Sequence, residues 1–237
     1  MGRWLAQIAA LAATLLVASA AIAREPWIDS AWLVKVKPGE KRFLYSHGVA
    51  RPGCTEAEPC QTKAYVVPGD VLIASDASTL GRGTANWVEV QYVSASGRST
   101  WGWIRDADLE PLSDPPKTAS AWTGSWKRTE ASITMRPGRR AGTIAVSGDA
   151  TWGASDPYRV RVGGVHTGEI EGQFQPLRST GGFTMGETGS LPFDQGEEFD
   201  CRVRFRLLLP YLLVEDNGNC GGVNVSFLGA YVKQGRK

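Results

Sequence analysis

Histidine is nearly absent: His47 and His166 are the only two in 237 residues. No His-x-x-x-His run occurs, and Cys54 and Cys60 are spaced unlike common zinc ligands. A hydroxyl or thiol nucleophile needs a base within hydrogen-bond reach, and neither histidine comes with that context. Excess charge is missing too. Twenty-six Lys and Arg stand against 24 Asp and Glu, a formal net charge of +2. That leaves no electrostatic footprint for nucleic acid or an anionic membrane. Beyond the N-terminus no apolar 3.6-residue period is sustained, so long amphipathic helices are excluded. No later run is long enough to span a bilayer, because Leu207 to Val214 is short and broken by Pro210.

What is present begins with Arg3, the apolar run Leu5 to Ile22, and the small-x-small triplet Ala21-Ile22-Ala23. This pattern predicts a secretory signal peptide over 1–23. Without Arg3 the 26 basic residues become 25 against 24 acidic, about +1. Export places the four cysteines in an oxidising compartment, where an even count favours two disulfides. Three pairings are open, and proximity favours Cys54–Cys60 and Cys201–Cys220. The longer loop would stabilise the fold by about 3 kcal/mol.

Glycine, proline, Trp, Thr and Val point to short strands and turns, hence an all-β fold in two modules. In the first, Trp32 to Val36, Lys41 to Tyr45, Lys63 to Val67, Asp70 to Ser75 and Trp87 to Val93 read as strands. Trp101 to Ile104 returns the chain, and Asp106 to Leu109 reads as one helical turn. A-Y-V-V-P-G-D-V-L-I, N-W-V-E-V-Q-Y and W-G-W-I-R-D-A-D-L-E-P-L resemble the bacterial SH3-like domain over residues 31–112. The closing signature falls on Gly102, Trp103, Ile104 and Leu109. The resemblance implies a small five-stranded barrel that binds peptidoglycan or another wall component and is not a catalyst. The cysteine loop after the second strand departs from that pattern. Tyr45, Tyr65, Trp87 and Trp101 are candidates to line a groove, against the simpler expectation that aromatics fill the barrel core. Trp103, within the signature, is expected in the core.

Residues 113–121, with Pro115-Pro116, read as a semi-stiff linker. Residues 122–233 then predict an antiparallel barrel or sandwich of about eight strands. Near its end Phe199, Cys201, Val203, Phe205 and Leu207 alternate with Asp200, Arg202, Arg204 and Arg206, a half-buried strand. Tyr211 to Val214 and Val223 to Tyr231 read as its neighbours, joined by the turn Asp216 to Asn219. The opening W-x-G-x-W resembles the entry of calycin-type barrels. The ending C-G-G-V-N-V-S-F-L-G-A-Y is similar to a module of proteobacterial envelope proteins, some labelled lysozyme-inhibitor-like.

No catalytic set, metal site or cofactor is expected. Gly218-Asn219-Cys220-Gly221-Gly222 has the spacing of a nucleophile elbow but lacks the helix that the elbow needs. Glu197, Glu198, Asp194 and Asp200 read as a solvated run. Arg202, Arg204 and Arg206, roughly 6.6 Å apart on one strand face, form a basic stripe suited to carboxylates. The alternative is a solvated face balanced by nearby acids. Asn217 and Asn219 sit on a stapled loop that would present itself to a partner. The leading expectation is a periplasmic or secreted, non-enzymatic binding protein that contacts peptidoglycan or a wall-associated protein. An inhibitor or immunity protein against a lysozyme-like or other wall hydrolase is the second. A small-ligand carrier with a calycin-like interior is the third.

Overall fold

A computed structural model describes residues 27–46, 60–75, 87–114, 117–187 and 189–235. The expected leader at 1–23, together with His47 and Cys54, lies outside the described residues. Two antiparallel sheets build the fold, so it is all-β.

The first sheet contains β1 (Trp32–Val36), β2 (Arg42–Tyr45), β3 (Gln61–Val66), β4 (Val71–Ser75), β5 (Trp87–Val93), β6 (Ser99–Arg105) and β7 (Leu109–Pro111). They run in the order β3-β2-β6-β5-β4-β1-β7. Seven strands stand where the resemblance implied five. The helical turn expected over Asp106 to Leu109 is a 3-10 turn over Asp106–Asp108, and the chain from Leu109 pairs with β1 as β7. Val34, Val36, Leu44, Leu72, Val90 and Ile104 centre an aliphatic core.

The second sheet contains β8 (Gly124–Arg128), β9 (Ala131–Pro137), β10 (Ile144–Trp152), β11 (His166–Phe174), β12 (Thr180–Gly186), β13 (Gly189–Pro192), β14 (Cys201–Leu208), β15 (Tyr211–Asp216) and β16 (Gly229–Lys233). Their order is β11-β10-β9-β8-β16-β15-β14-β12-β13. The edges curl together: Gly172 of β11 faces the Phe183 ring of β12, and the Gln173 amide donates to Ser190 Oγ of β13 at 3.2 Å. The sheet is thus nearly closed and barrel-like. Trp122, Trp126, Phe183, Phe205, Phe227 and Tyr231 fill its interior. These rings occupy the space that a carrier would keep open. Short helices α1 (Trp27–Ser30), α2 (Ala119–Trp122) and α3 (Pro157–Val162) complete the fold. No helix among the described residues is long and apolar enough to cross a membrane.

The strands of this sheet differ from the sequence reading in three places. Nine strands stand where about eight were expected. The final strand starts at Gly229, so Val223 to Phe227 is loop. There the Asp216 carboxylate accepts the amides of Phe227 and Leu228 and the hydroxyl of Ser226, which removes those groups from any ladder. Phe199, expected on the buried face of β14, is 80% exposed. The chain is still in a turn at that point, with Asp200 Oδ2 accepting the Glu197 amide at 2.8 Å.

The sheets share a second core. Ile28, Leu33, Ile73 and Val93 pack on Leu208, Tyr211, Leu213 and Ala230. β15 is therefore buried on both faces: Leu212 and Val214 point into the barrel, Tyr211 and Leu213 into the junction. Beside it the turn between β5 and β6 meets β8. A Cβ on Gly97 (φ +81°) would lie 2.6 Å from Arg128 Cα, so only glycine allows this approach.

Candidate functional site: an aromatic face and the cleft beside it

Strand alternation places the first module's aromatic residues outside its core. Val88 and Val90 of β5, and Gly102 and Ile104 of β6, point inward, so their neighbours point out. Register then groups them: Gln91 is opposite Trp101, Glu89 opposite Trp103, and Tyr45 of β2 also opposite Trp103. Tyr45, Trp87, Trp101 and Trp103 share one face, with the Tyr45 and Trp87 rings 4.8 Å apart, edge to face. Trp101 is 50% exposed. None of the four belongs to the buried core, which corrects the expectation that aromatics, Trp103 included, fill it. Tyr65, also exposed, stands apart. It packs edge to face on Phe43, and Lys41 Nζ sits 5.0 Å from both rings.

Trp101 leads from this face into a cleft of about 460 Å³ between the two modules. Its lining takes Trp27 from α1, Gln91, Arg98 and Trp101 from the first module, and Arg128, Thr129 and Leu228 from the second. The Arg128 guanidinium is committed, donating to Tyr231 Oη, the Thr129 carbonyl and the Ser226 carbonyl. Arg98 is exposed, with no ion pair among the described residues. Gln91 is only 2% exposed, and its Nε2 donates to Ser99 Oγ at 2.7 Å. Trp27, Gln91, Arg98 and Leu228 were not singled out from sequence. Alternation alone would send Gln91 to solvent beside Glu89. Only docking of the second module buries it.

The arginine stripe lies on one strand face as expected, but its members have internal partners. Arg204 pairs with Asp29 of α1. Arg206 donates to the carbonyls of Ile28 and Asp29 at 2.6 and 3.0 Å. Arg202 donates to the carbonyls of Gly196 and Glu197. Arg202 thus holds the turn before β14, and Arg204 and Arg206 fasten α1 to that strand. Glu215 joins them by accepting the Ile28 amide at 3.3 Å. Burial pushes the Glu215 carboxyl up, against the Ile28 bond and the charge of Arg204, while Asp29 adds to the rise.

The loop after β15 is exposed and pinned. Cys201 and Cys220 are bridged, as proximity favoured, so the elbow-like spacing holds no thiol. Cys60 is also disulfide-bonded. Asn217 bonds the Arg202 amide and the Asp200 carbonyl, and Asn219 bonds the Glu198 carbonyl. Their amides therefore hold the loop's shape. Val223, 70% exposed, is what the loop offers outward. Gly221 lies against Gly168 of β11, and a Cβ on Gly168 would strike the Cys220 carbonyl. His166 Nδ1 lies 2.6 Å from the Val223 carbonyl, with the His166 ring against Trp152.

Comparison with family models, with curated proteins and with solved structures found no match.

Proposed function

We propose that this chain is an exported, non-catalytic binding protein of the cell envelope that holds peptidoglycan or another wall component against the aromatic face and its cleft. The observation carrying this reading is that Tyr45, Trp87, Trp101 and Trp103 stand outside an aliphatic core instead of filling it. Flat aromatic surfaces with a polar handle recognise ligands that are part apolar and part wet, as sugars and short peptides are. The resemblance of 31–112 to bacterial SH3-like domains supports the same reading, as does the disulfide at Cys201–Cys220, which suits an oxidising compartment. The test is cosedimentation of the full mature chain with purified sacculi. Retention is expected, and a Trp101→Ala change should reduce it. A chain left wholly in the supernatant rejects the reading.

A second reading is favoured by the loop at 217–224. A disulfide, a carboxylate cap and a glycine contact with β11 hold it in one shape while Val223 faces solvent. Such a preorganised loop suits a protein partner's cleft, because little entropy remains to be lost on binding. A wall hydrolase inhibited at micromolar protein supports it, and a flat response across muramidases and amidases removes it.

A further inference from the structure

We infer that the outer face of β9, β10 and β11 carries a second binding site, one for a hydroxylated carboxylate such as a sugar acid. It shares no residue with the aromatic face or with the cleft between the modules, so it goes beyond the wall-binding reading and does not rest on it.

Alternation and register build the site. Ile133, Met135, Ile144 and Val146 belong to the barrel core, so the residues between them point out. On that outer face Ala145 of β10 lies opposite both Arg136 of β9 and Gln173 of β11. One row along, Ser147 lies opposite both Thr134 and Glu171. Neighbouring strands are about 4.8 Å apart, so the backbones of Arg136 and Gln173 stand about 10 Å apart with only a methyl group between them. A central strand of small side chains between strands of longer ones makes a trough. Its volume is about 630 Å³, within the usual size of small-molecule sites. The β12–β13 hairpin bounds it beyond β11, where Ser190 Oγ accepts the Gln173 amide at 3.2 Å.

Charge decides the ligand class. Arg136 and Arg139 both line the trough and both are exposed. Among the described residues neither side chain has an ion pair, whereas Arg128, Arg204 and Arg206 are committed inside the fold. Arg139 sits on a pinned turn. The Gly138 amide donates to the Thr143 carbonyl at 2.8 Å, and Thr143 Oγ1 donates to the Arg140 carbonyl at 2.7 Å. Two such guanidiniums in one concave wall suit a carboxylate, which they hold through charge-assisted hydrogen bonds. The rest of the lining suits hydroxyls: Glu171 accepts, Gln173 donates and accepts, and Ser147 and Ser190 do both. A bare carboxylate or phosphate uses the arginines alone, and Glu171 repels any second negative charge. A ligand with a carboxylate at one end and hydroxyls at the other uses both walls. Two sources share this chemistry, a uronic acid of an acidic polysaccharide and the lactyl-bearing amino sugar of a wall glycan.

The test uses the full mature chain and ligand-observed NMR with four probes. They are glucuronate, N-acetylmuramate, glucose as the sugar without a carboxylate, and acetate as the carboxylate without hydroxyls. A saturable response to at least one sugar acid is expected, with glucose and acetate at least tenfold weaker, and the responding acid identifies the source. Arg136→Gln and Arg139→Gln should each weaken binding about tenfold. Both positions are exposed, so the melting temperature should stay as in wild type. Arg161→Gln, which removes an exposed arginine outside the trough, should bind as wild type does. The inference is overturned if neither sugar acid saturates, if glucose or acetate binds as tightly, or if the Arg136 and Arg139 variants bind as wild type does. Trp101→Ala should leave sugar-acid binding unchanged; a loss there places the acid at the aromatic face and also overturns the site. Sacculus retention with no sugar-acid response sinks this inference alone. Sugar-acid binding without sacculus retention sinks the wall reading alone.

Discussion

Tyr211 Oη of β15 donates to the carbonyl of Val71 on β4 at 2.6 Å, a hydrogen bond from one sheet to the other. It lies within the shared apolar core, where Tyr211 is 4% exposed. Together with the arginine clasp on α1 and the Gly97 contact, it makes the two sheets one packed body. The cleft exists because of this docking.

Removing that hydroxyl should loosen the junction. Tyr211→Phe leaves the Val71 carbonyl short of a partner and is expected to cost about 1 kcal/mol in denaturant unfolding. The phenol also sets an alkaline limit. Burial, with the charges of Tyr92 and Asp70, pushes it up to about 12. Its contribution is whole below pH 10 and is lost as pH rises through about 12. In Tyr211→Phe that part of the alkaline decline should disappear.

Gly97→Ala tests the closest approach. Its Cβ would lie 2.6 Å from Arg128 Cα and 2.7 Å from the Lys127 carbonyl, at a positive φ. Strain and separation of the β5–β6 turn from β8 should cost about 1–3 kcal/mol. Amide exchange should speed at Thr129, whose N–H donates to the Gly97 carbonyl at 3.1 Å.

Glu215 supplies a pH signature of opposite placement. Its carboxyl is raised above 4.5 by burial, so the folded state holds its proton more tightly than the unfolded chain. The corresponding stability is complete below pH 4.5 and is lost as pH rises through the raised value. Stability from pH 4 to 7 should therefore fall more steeply in wild type than in Glu215→Gln, which keeps an acceptor for the Ile28 amide. Equal slopes would contradict the assignment.

Much of this organisation was legible in the sequence, and the rest depended on contacts that no local pattern encodes. Alternation in Cys201 to Leu207 placed β14 correctly, because one face meets the barrel core and the other carries arginines. The unbroken run Tyr211 to Val214 held an unread message. A strand apolar at every position is covered on both faces, and the second cover is the first module. Gln91 stands where alternation alone points to solvent, yet it is buried beside the second module. Val223 to Phe227 alternates like a strand, yet Asp216 and the disulfide hold it as loop. The pairing Cys201–Cys220 followed from proximity alone.

The disulfide should carry weight in the second module. Replacing both Cys201 and Cys220 by Ser opens a bridge across a separation of 19 residues and is expected to cost about 3 kcal/mol. The loop at 217–224 should then become accessible to protease while the first sheet keeps its amide protection.

The binding role itself is tested most directly by a depletion isotherm on purified sacculi, comparing wild type, Trp101→Ala and Val223→Ser. Saturable retention of wild type and Val223→Ser, with at least tenfold weaker retention of Trp101→Ala, is expected if one aromatic anchor contributes about 1–3 kcal/mol. Retention unchanged by Trp101→Ala but lost in Val223→Ser, or no retention of any of the three, would contradict a ligand site at the aromatic face.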